Sequence, residues 1–302
     1  MQRLEKSQLF LQKLLNPPPE LPFESALLPM LFEVTREGST VSLSDLITFI
    51  LRSQKLTLRV LAITNSAAYG LAFKVSTLQQ AVRILGVREI RLQVILVGTS
   101  AALKAVKLPR SFDVSALWLH QLQVAAIAKT LTTFLGGPSG VCGPSAREQD
   151  RLNMAPDEAY IAGSLHDLGK PFFAASSPSQ WEEVQTAWNR NKQQYFEVEH
   201  EFWSMDHAMI GARVLHFWKL PILLTETINW HHMPELAPSH KMAARMLAAA
   251  NRIAKGDWNV ATGLPEEALS LLPEGIDPAA LMETIMATLA NDSINALMSC
   301  VK

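Results

Sequence analysis

The apolar residues of this chain fall at helical intervals almost from end to end, and that periodicity restricts the fold more than any other feature. Leu46, Ile47, Ile50 and Leu51 are followed by Leu56, Leu58, Val60 and Leu61, steps of three and four that line one side of a helix. No stretch between turn signals sustains the two-residue alternation of a half-buried strand. The spacing therefore predicts an all-α protein. Helix punctuation agrees: Ser42 precedes one apolar run, Gly70 closes the next, and Ser76-Thr77-Leu78-Gln79 has the spacing of a capping box opening a helix through about Leu85. Gly86 ends that helix, and Arg88 to Val106 reads as a long one. Further helices are predicted near 4–15, 23–36, 113–135, 156–174, 178–193, 205–218, 221–232, 240–255, 264–272 and 278–299.

Two breaks divide the chain. Leu108-Pro109-Arg110-Ser111 separates a first half without histidine from a second half that holds all 8. Between Gly136 and Pro156, the glycines and prolines of Gly136-Gly137-Pro138-Ser139-Gly140 and Gly143-Pro144-Ser145 predict a surface loop inside that second half. After Asp257, Pro265, Pro273 and Pro278 punctuate short apolar helices, expected to pack on the second half as an appendage. The expected organisation is therefore 1–108, 109–258 and 259–302. With 302 residues, 48% of them hydrophobic and 18% charged, there is chain enough to bury a core and no sign of disorder.

Charge excludes several partners. Lys plus Arg number 27 against 28 Asp plus Glu, a balance of −1, so no strong field draws in nucleic acid or an anionic membrane. Met1-Gln2-Arg3-Leu4-Glu5-Lys6 leads into no apolar signal core, and the richest apolar stretch, Val94-Ile95-Leu96-Val97-Gly98, is far too short to span a bilayer. Cys142 and Cys300 form no paired framework and no thiolate zinc motif, which fits a reducing cytoplasm.

The residues that can carry chemistry lie in the second half. Ala162-Gly163-Ser164-Leu165-His166-Asp167-Leu168-Gly169-Lys170 sets an imidazole beside a carboxylate, which can both aim at one cation near a helix end or irregularity. Gly169 would let a substrate or another backbone approach closely. The alternative for His166-Asp167 alone is a buried polar pair between helices. His120, Asp206-His207 and Ile228-Asn229-Trp230-His231-His232 stand in similarly apolar stretches. Several neutral imidazoles converging with one carboxylate are what a mixed nitrogen and oxygen metal site in a helical bundle requires. Neighbours on an ideal helix diverge by about 100°, so His231 and His232 are expected to split into one ligand and one supporting residue. Asp206 is expected to orient His207 or to cap a helix. Asn65 and Ser66 read as satisfying local backbone or a neighbouring helix rather than binding a ligand. His200, His216 and His240 read as ordinary surface or core residues. Trp181, Trp188, Trp203, Trp218, Trp230 and Trp258 suit core packing or a partner groove better than nucleotide stacking.

The order of these motifs, His120, His166-Asp167 with Gly169-Lys170, Asp206-His207, Leu220-Pro221 and His231-His232, resembles the HDOD domain. That domain is a bacterial signalling relative of the HD superfamily of metal-dependent phosphohydrolases. In the first half, Val60 through Gly70, with Asn65-Ser66-Ala67-Ala68-Tyr69-Gly70, and Ser76 through Gly86 are similar to the same family, and the resemblance runs from about Leu21 to about Trp258. It implies a helical N-terminal subdomain packed on an HD-like bundle, with residues 259–302 outside it. It also implies metal-ligand positions at His120, His166 and Asp167, with His207, His231 and His232 matching the extra ligands of HD-GYP phosphodiesterases, for a divalent iron, manganese or zinc ion. Lys170 matches a lysine that in the enzymes neutralises a substrate phosphate; read alone, it is equally a solvated or helix-C-terminal lysine. Two departures matter. Catalytic HD proteins end the pattern with Asp in Ala-Asp-Arg, whereas this chain has Ala250-Asn251-Arg252, an amide that can coordinate only as a weak, uncharged ligand. After His231-His232 comes Met233-Pro234-Glu235-Leu236, without the Gly-Tyr-Pro signature.

The resemblance thus implies a stand-alone signalling module, non-enzymatic, that binds a protein partner or a small phosphate-containing ligand and holds metal through a degenerate site. No sensor, receiver or cyclase segment accompanies the domain, so input and output are expected to pass through other proteins. The alternative is a metal-dependent phosphohydrolase acting on a nucleotide or phosphoester. A nucleic-acid regulator is disfavoured by the charge balance.

Overall fold

Local capping chemistry sets where the first helices begin. In the computed structural model, the Ser42 hydroxyl accepts from the Asp45 amide at 3.1 Å while the Asp45 carboxylate accepts from the Ser42 amide at 3.0 Å, a reciprocal box that opens the helix Leu43–Leu51. The structure describes residues 11–12, 20–21, 26–34, 40–66, 69–136, 152–191, 194–256, 263–272 and 277–290. The helix predicted at 4–15, most of the loop predicted between 136 and 156, both cysteines and Trp258 lie outside the described residues or almost so.

The first half comprises α1 (Leu27–Glu33), α2 (Leu43–Leu51), α3 (Gln54–Thr64) and α4 (Leu78–Lys104). α4 is two helical segments joined at Gly86, whose φ of 77° breaks the ladder where the sequence predicts a boundary. Its start differs by one residue from the prediction: Thr77, not Ser76, is the N-cap, and its hydroxyl accepts from the Gln80 amide. Gln80 Oε1 accepts from the Ser76 amide, one residue before the N-cap, so Thr77 and Gln80, not Ser76 and Gln79, cap this helix. Asn65 staples the link from α3 to α4. Its Nδ2 donates to the carbonyls of Leu61 and Val75, and its Oδ1 accepts from the Val75 amide at 2.7 Å.

The second half begins with α5 (Val114–Phe134), α6 (Pro156–Leu165), α7 (Gly169–Ser176) and α8 (Pro178–Asn191). It continues through α9 (Tyr195–Trp203), α10 (His207–Phe217), α11 (Ile222–Asn229), a 3₁₀ turn at Pro234–Leu236 and α12 (Lys241–Ala254). Short α13 (Glu266–Leu269) and α14 (Pro278–Ala290) complete the described chain. α12 and α14 lie against α5, and α4 reaches across to α6. One apolar core runs from Leu27 and Leu28 through Ile90, Ile127 and Leu165 to Leu281 and Ile285. No helix among the described residues is long and apolar enough to cross a membrane.

Four sequence expectations need correction. The helix predicted over 156–174 is interrupted at 166–168, and the one over 221–232 stops at Asn229. The segment predicted at 264–272 keeps only α13 as helix, and α9, absent from the predicted set, fills 195–203. Periodicity missed the interruption because apolar positions keep helical spacing on both sides of a three-residue break.

Two glycines let the helices that carry the site approach. A Cβ on Gly163 would lie 2.5 Å from the Ala125 Cα, so α5 and α6 touch backbone to backbone there. A Cβ on Gly169 would lie 1.9 Å from the His207 carbonyl oxygen, so the start of α7 rests directly on α10. Of the two roles open to Gly169, close approach of another backbone is the one the structure displays.

Candidate metal centre

The break between α6 and α7 places His166 and Asp167 in a turn, both sealed from solvent at 0% and 1% exposure. Around that turn the fold gathers His120 from α5, His207 from the first position of α10, His231 and His232 from the turn after α11, and Asn251 from α12. All seven candidate ligands therefore meet in one cluster, although His120 and Asn251 are 131 positions apart in sequence and sit 3.1 Å apart, Nε2 to Oδ1.

His231 and His232 do not diverge. Because α11 has ended, helical geometry no longer governs them, and their ring centroids lie 3.8 Å apart. Both face His207: the His232 and His207 Nε2 atoms are 2.9 Å apart. The donor atoms form two neighbouring groups, His207–His231–His232 and His120–His166–Asp167, each with its atoms within 4.8 Å of one another. Asp167 joins them, with Oδ1 2.9 Å from His207 Nε2 and Oδ2 3.6 Å from His120 Nε2.

Hydrogen bonds on the far side of each ring fix which nitrogen faces inward. A carbonyl can only accept, so His166 donates from Nδ1 to Gly163 O at 2.8 Å and His231 from Nδ1 to Ile228 O at 2.7 Å. Their Nε2 lone pairs then point into the cluster, and both atoms are buried without a hydrogen-bond partner, as is Asp167 Oδ1, which His207 approaches outside hydrogen-bond geometry. Unshared lone pairs converging in a sealed space, each imidazole oriented from behind, are the donor set of a divalent cation site, and the residues fit one.

Electrostatics keep most of these imidazoles neutral. Burial lowers His120 to about 4 and His231 to about 3, and holds His166 and His232 well below the ordinary value. Neutral imidazole is the form that ligates. His207 differs: burial lowers it, but the Glu199 and Asp167 carboxylates outweigh that and raise it to about 9. Burial would raise Asp167, yet His166, Lys170 and His207 hold it well below the carboxylate range. Lys170 closes the mouth, its Nζ 2.5 Å from Asp167 Oδ2 and 5.4 Å from the Tyr195 ring centroid.

Residues 22–234 match the HDOD domain family. The chain belongs to the HDOD family. That match stops short of α12, so the part of the resemblance reaching to Trp258, which carries Asn251, rests on the quoted motif and on geometry. An uncharacterized protein of Treponema pallidum (strain Nichols) is 26% identical over 227 residues, 73% of this chain, and the chain spans 40% of that relative's length. Three crystal structures share the HDOD fold. An HDOD domain protein with unknown function from Geobacter sulfurreducens is 22% identical with a TM-score of 0.64, covering 98% of this chain and 94% of that one. A protein of Shewanella amazonensis SB2B, provisionally named a phosphohydrolase, is 24% identical with a TM-score of 0.70, covering 97% and 98%. One of Marinobacter aquaeolei VT8, provisionally named a signal transduction protein, is 20% identical with a TM-score of 0.72, covering 94% of this chain and 60% of that one.

Sequence reasoning missed one member of the HDOD site. Glu199 on α9 is fully buried, and its Oε2 accepts from both the His207 amide at 3.0 Å and His207 Nδ1 at 2.5 Å. The signal was present: Glu199 stands four residues after Tyr195 and four before Trp203, a carboxylate on the apolar stripe of a helix, which calls for a buried partner. Asp206 acts as the N-cap of α10, accepting from the Met209 amide at 2.8 Å. Glu226 accepts from the Ser239 and His240 amides at 2.6 Å, tying α11 to the start of α12. Of the tryptophans, Trp181, Trp203 and Trp218 are core, Trp203 stacked on Phe173, while Trp188 is exposed.

Proposed function

We propose that this HDOD chain is a cytoplasmic signalling module that passes a conformational state to a protein partner, or answers a small phosphate-containing ligand, without turning over a substrate. The observation that carries this reading is Asn251. Its amide oxygen sits against His120 where an enzymatic centre would bring a second anionic ligand. Five imidazoles and one carboxylate then offer a divalent ion of the iron, manganese or zinc type a single negative charge, which weakens both retention and any lowering of the pKa of water. His120, His166, Asp167, His207, His231 and His232 would hold such an ion, with Asn251 contributing weakly. When bound, it would supply a Lewis acid.

The second reading, a metal-dependent phosphohydrolase, draws on the unshared lone pairs of His166 and His231 and on Lys170 at the mouth, where an ammonium can meet a phosphate. One assay separates the two. Protein reloaded with iron, manganese or zinc is screened against phosphomonoesters, nucleotides and cyclic dinucleotides beside the His166→Ala/Asp167→Ala double variant. The signalling reading expects equal background in both. Metal-dependent turnover in the wild type that disappears in the double variant would overturn it. A protein partner would then be sought by capture on the intact chain, with the double variant as control.

A further inference from the structure

Asp167 is the carboxylate of the His120–His166–Asp167 group and also touches His207 of the other, and one of its oxygens is already taken. Lys170 Nζ lies 2.5 Å from Oδ2, the oxygen that also faces His120 at 3.6 Å, whereas Oδ1 faces His166 and His207 at 3.4 Å and 2.9 Å. The ammonium is tethered there by the chain itself, three residues beyond Asp167 in the first turn of α7. A divalent ion bound among His120, His166 and Asp167 needs the same carboxylate charge that the ammonium neutralises. The competition is for Oδ2: the ammonium at 2.5 Å occupies the oxygen that faces His120, and a divalent ion placed against the same oxygen would repel it strongly.

We propose that Lys170 is a tethered cation that stands in for a metal ion at the His120–His166–Asp167 group, so that its ammonium and a divalent ion exclude one another on Asp167. This rests on the reading of the cluster as a metal site and assigns what regulates it. The exchange has a route. The Lys170 side chain is 20% exposed, and its Nζ already lies 5.4 Å from the Tyr195 ring centroid, so an ammonium leaving Oδ2 has solvent and an aromatic face beside it. Asn251 makes the competition close: a second carboxylate would favour the divalent ion, whereas an uncharged amide leaves a single charge for two claimants. Any anion that draws Lys170 outward would in the same act expose Asp167 to metal, and metal would in turn free Lys170 for the anion.

The test is a calorimetric titration of the full, chelator-stripped chain with manganese(II) alone, comparing wild type, Lys170→Met, Lys170→Gln and Lys170→Arg. Lys170→Met keeps the apolar stem and removes the charge; Lys170→Gln serves if that variant folds poorly by circular dichroism. Manganese is expected to bind the uncharged variants about 5- to 150-fold more tightly than the wild type. Lys170→Arg keeps wild-type affinity, and His166→Ala in the Lys170→Met background cancels the gain. Metal-free Lys170→Met should melt below the wild type, with a larger rise on adding manganese. Equal affinity in wild type and uncharged variants overturns the inference and leaves the metal reading standing. Weaker binding in the uncharged variants also overturns it. Absence of binding in every variant overturns both.

Discussion

At the scale of single residues, the site depends on contacts that a change of one atom can break. Gly169→Ala is the sharpest case. In a helix Ala is ordinarily the better residue by about 0.5–1 kcal/mol, but here its Cβ would fall 1.9 Å from the His207 carbonyl oxygen. The clash wins, because both atoms are backbone-fixed, and a loss of about 1–3 kcal/mol is expected from denaturant unfolding. A gain in stability would show that α7 and α10 do not touch at this point. Asn65→Ala removes the bonds to Leu61 and Val75 and leaves partly buried backbone groups unpaired, with an expected cost of about 1–3 kcal/mol. Metal content should not change in that variant, because Asn65 and the histidine cluster lie in different halves. Unchanged metal content would give Asn65 a role in folding rather than in ligand binding.

At the scale of elements, the corner between α9 and α10 couples two helix ends through charge. His200, in the last turn of α9, lies 3.3 Å from the Asp206 carboxylate that caps α10. The hydrogen bond to Asp206 raises the His200 pKa against a burial that lowers it. A raised folded value means the protonated pair contributes stability that is fully present below the ordinary 6.5 and is lost as pH rises through the folded value. Melting temperature should therefore decline over that window in the wild type, and the decline should flatten in His200→Gln. An identical slope in the variant would assign it to other groups. The same corner shows why α9 escaped the sequence reading. Its polar residues Glu197, Glu199, His200 and Glu201 interrupt the apolar count, yet Glu199 faces inward and is matched by His207, so polarity there marks the site and not solvent.

At the scale of the whole molecule, α5 is the axis. It carries His120, receives α6 and α12 along its length, and is backed by α14, whose Leu281 and Ile285 are fully buried. A chain ending after Asp277 would lose both side chains from the core, an expected cost of about 3–6 kcal/mol at about 1.5–3 kcal/mol each. Calorimetric unfolding would check this, and a transition unchanged by the truncation would show that α14 adds nothing to the bundle. What the sequence by itself determined is what local chemistry decides. Period-three and period-four spacing makes helices where apolar residues recur, Ser42 and Thr77 set helix starts within a residue of the prediction, and Gly86, the residue type that accepts the positive φ found there, marks the break. The ordered motifs named the family for the same reason, since each is a short local string. What only the tertiary structure decided is where the polar residues point. The turn at 230–232 frees His231 and His232 from helical divergence, and packing brings His232 and Asp167 against His207 and Asn251 against His120. Burial, Glu199 behind His207 and Lys170 on Asp167 together set the charge of that cluster, and no local spacing encodes a contact made across 131 positions.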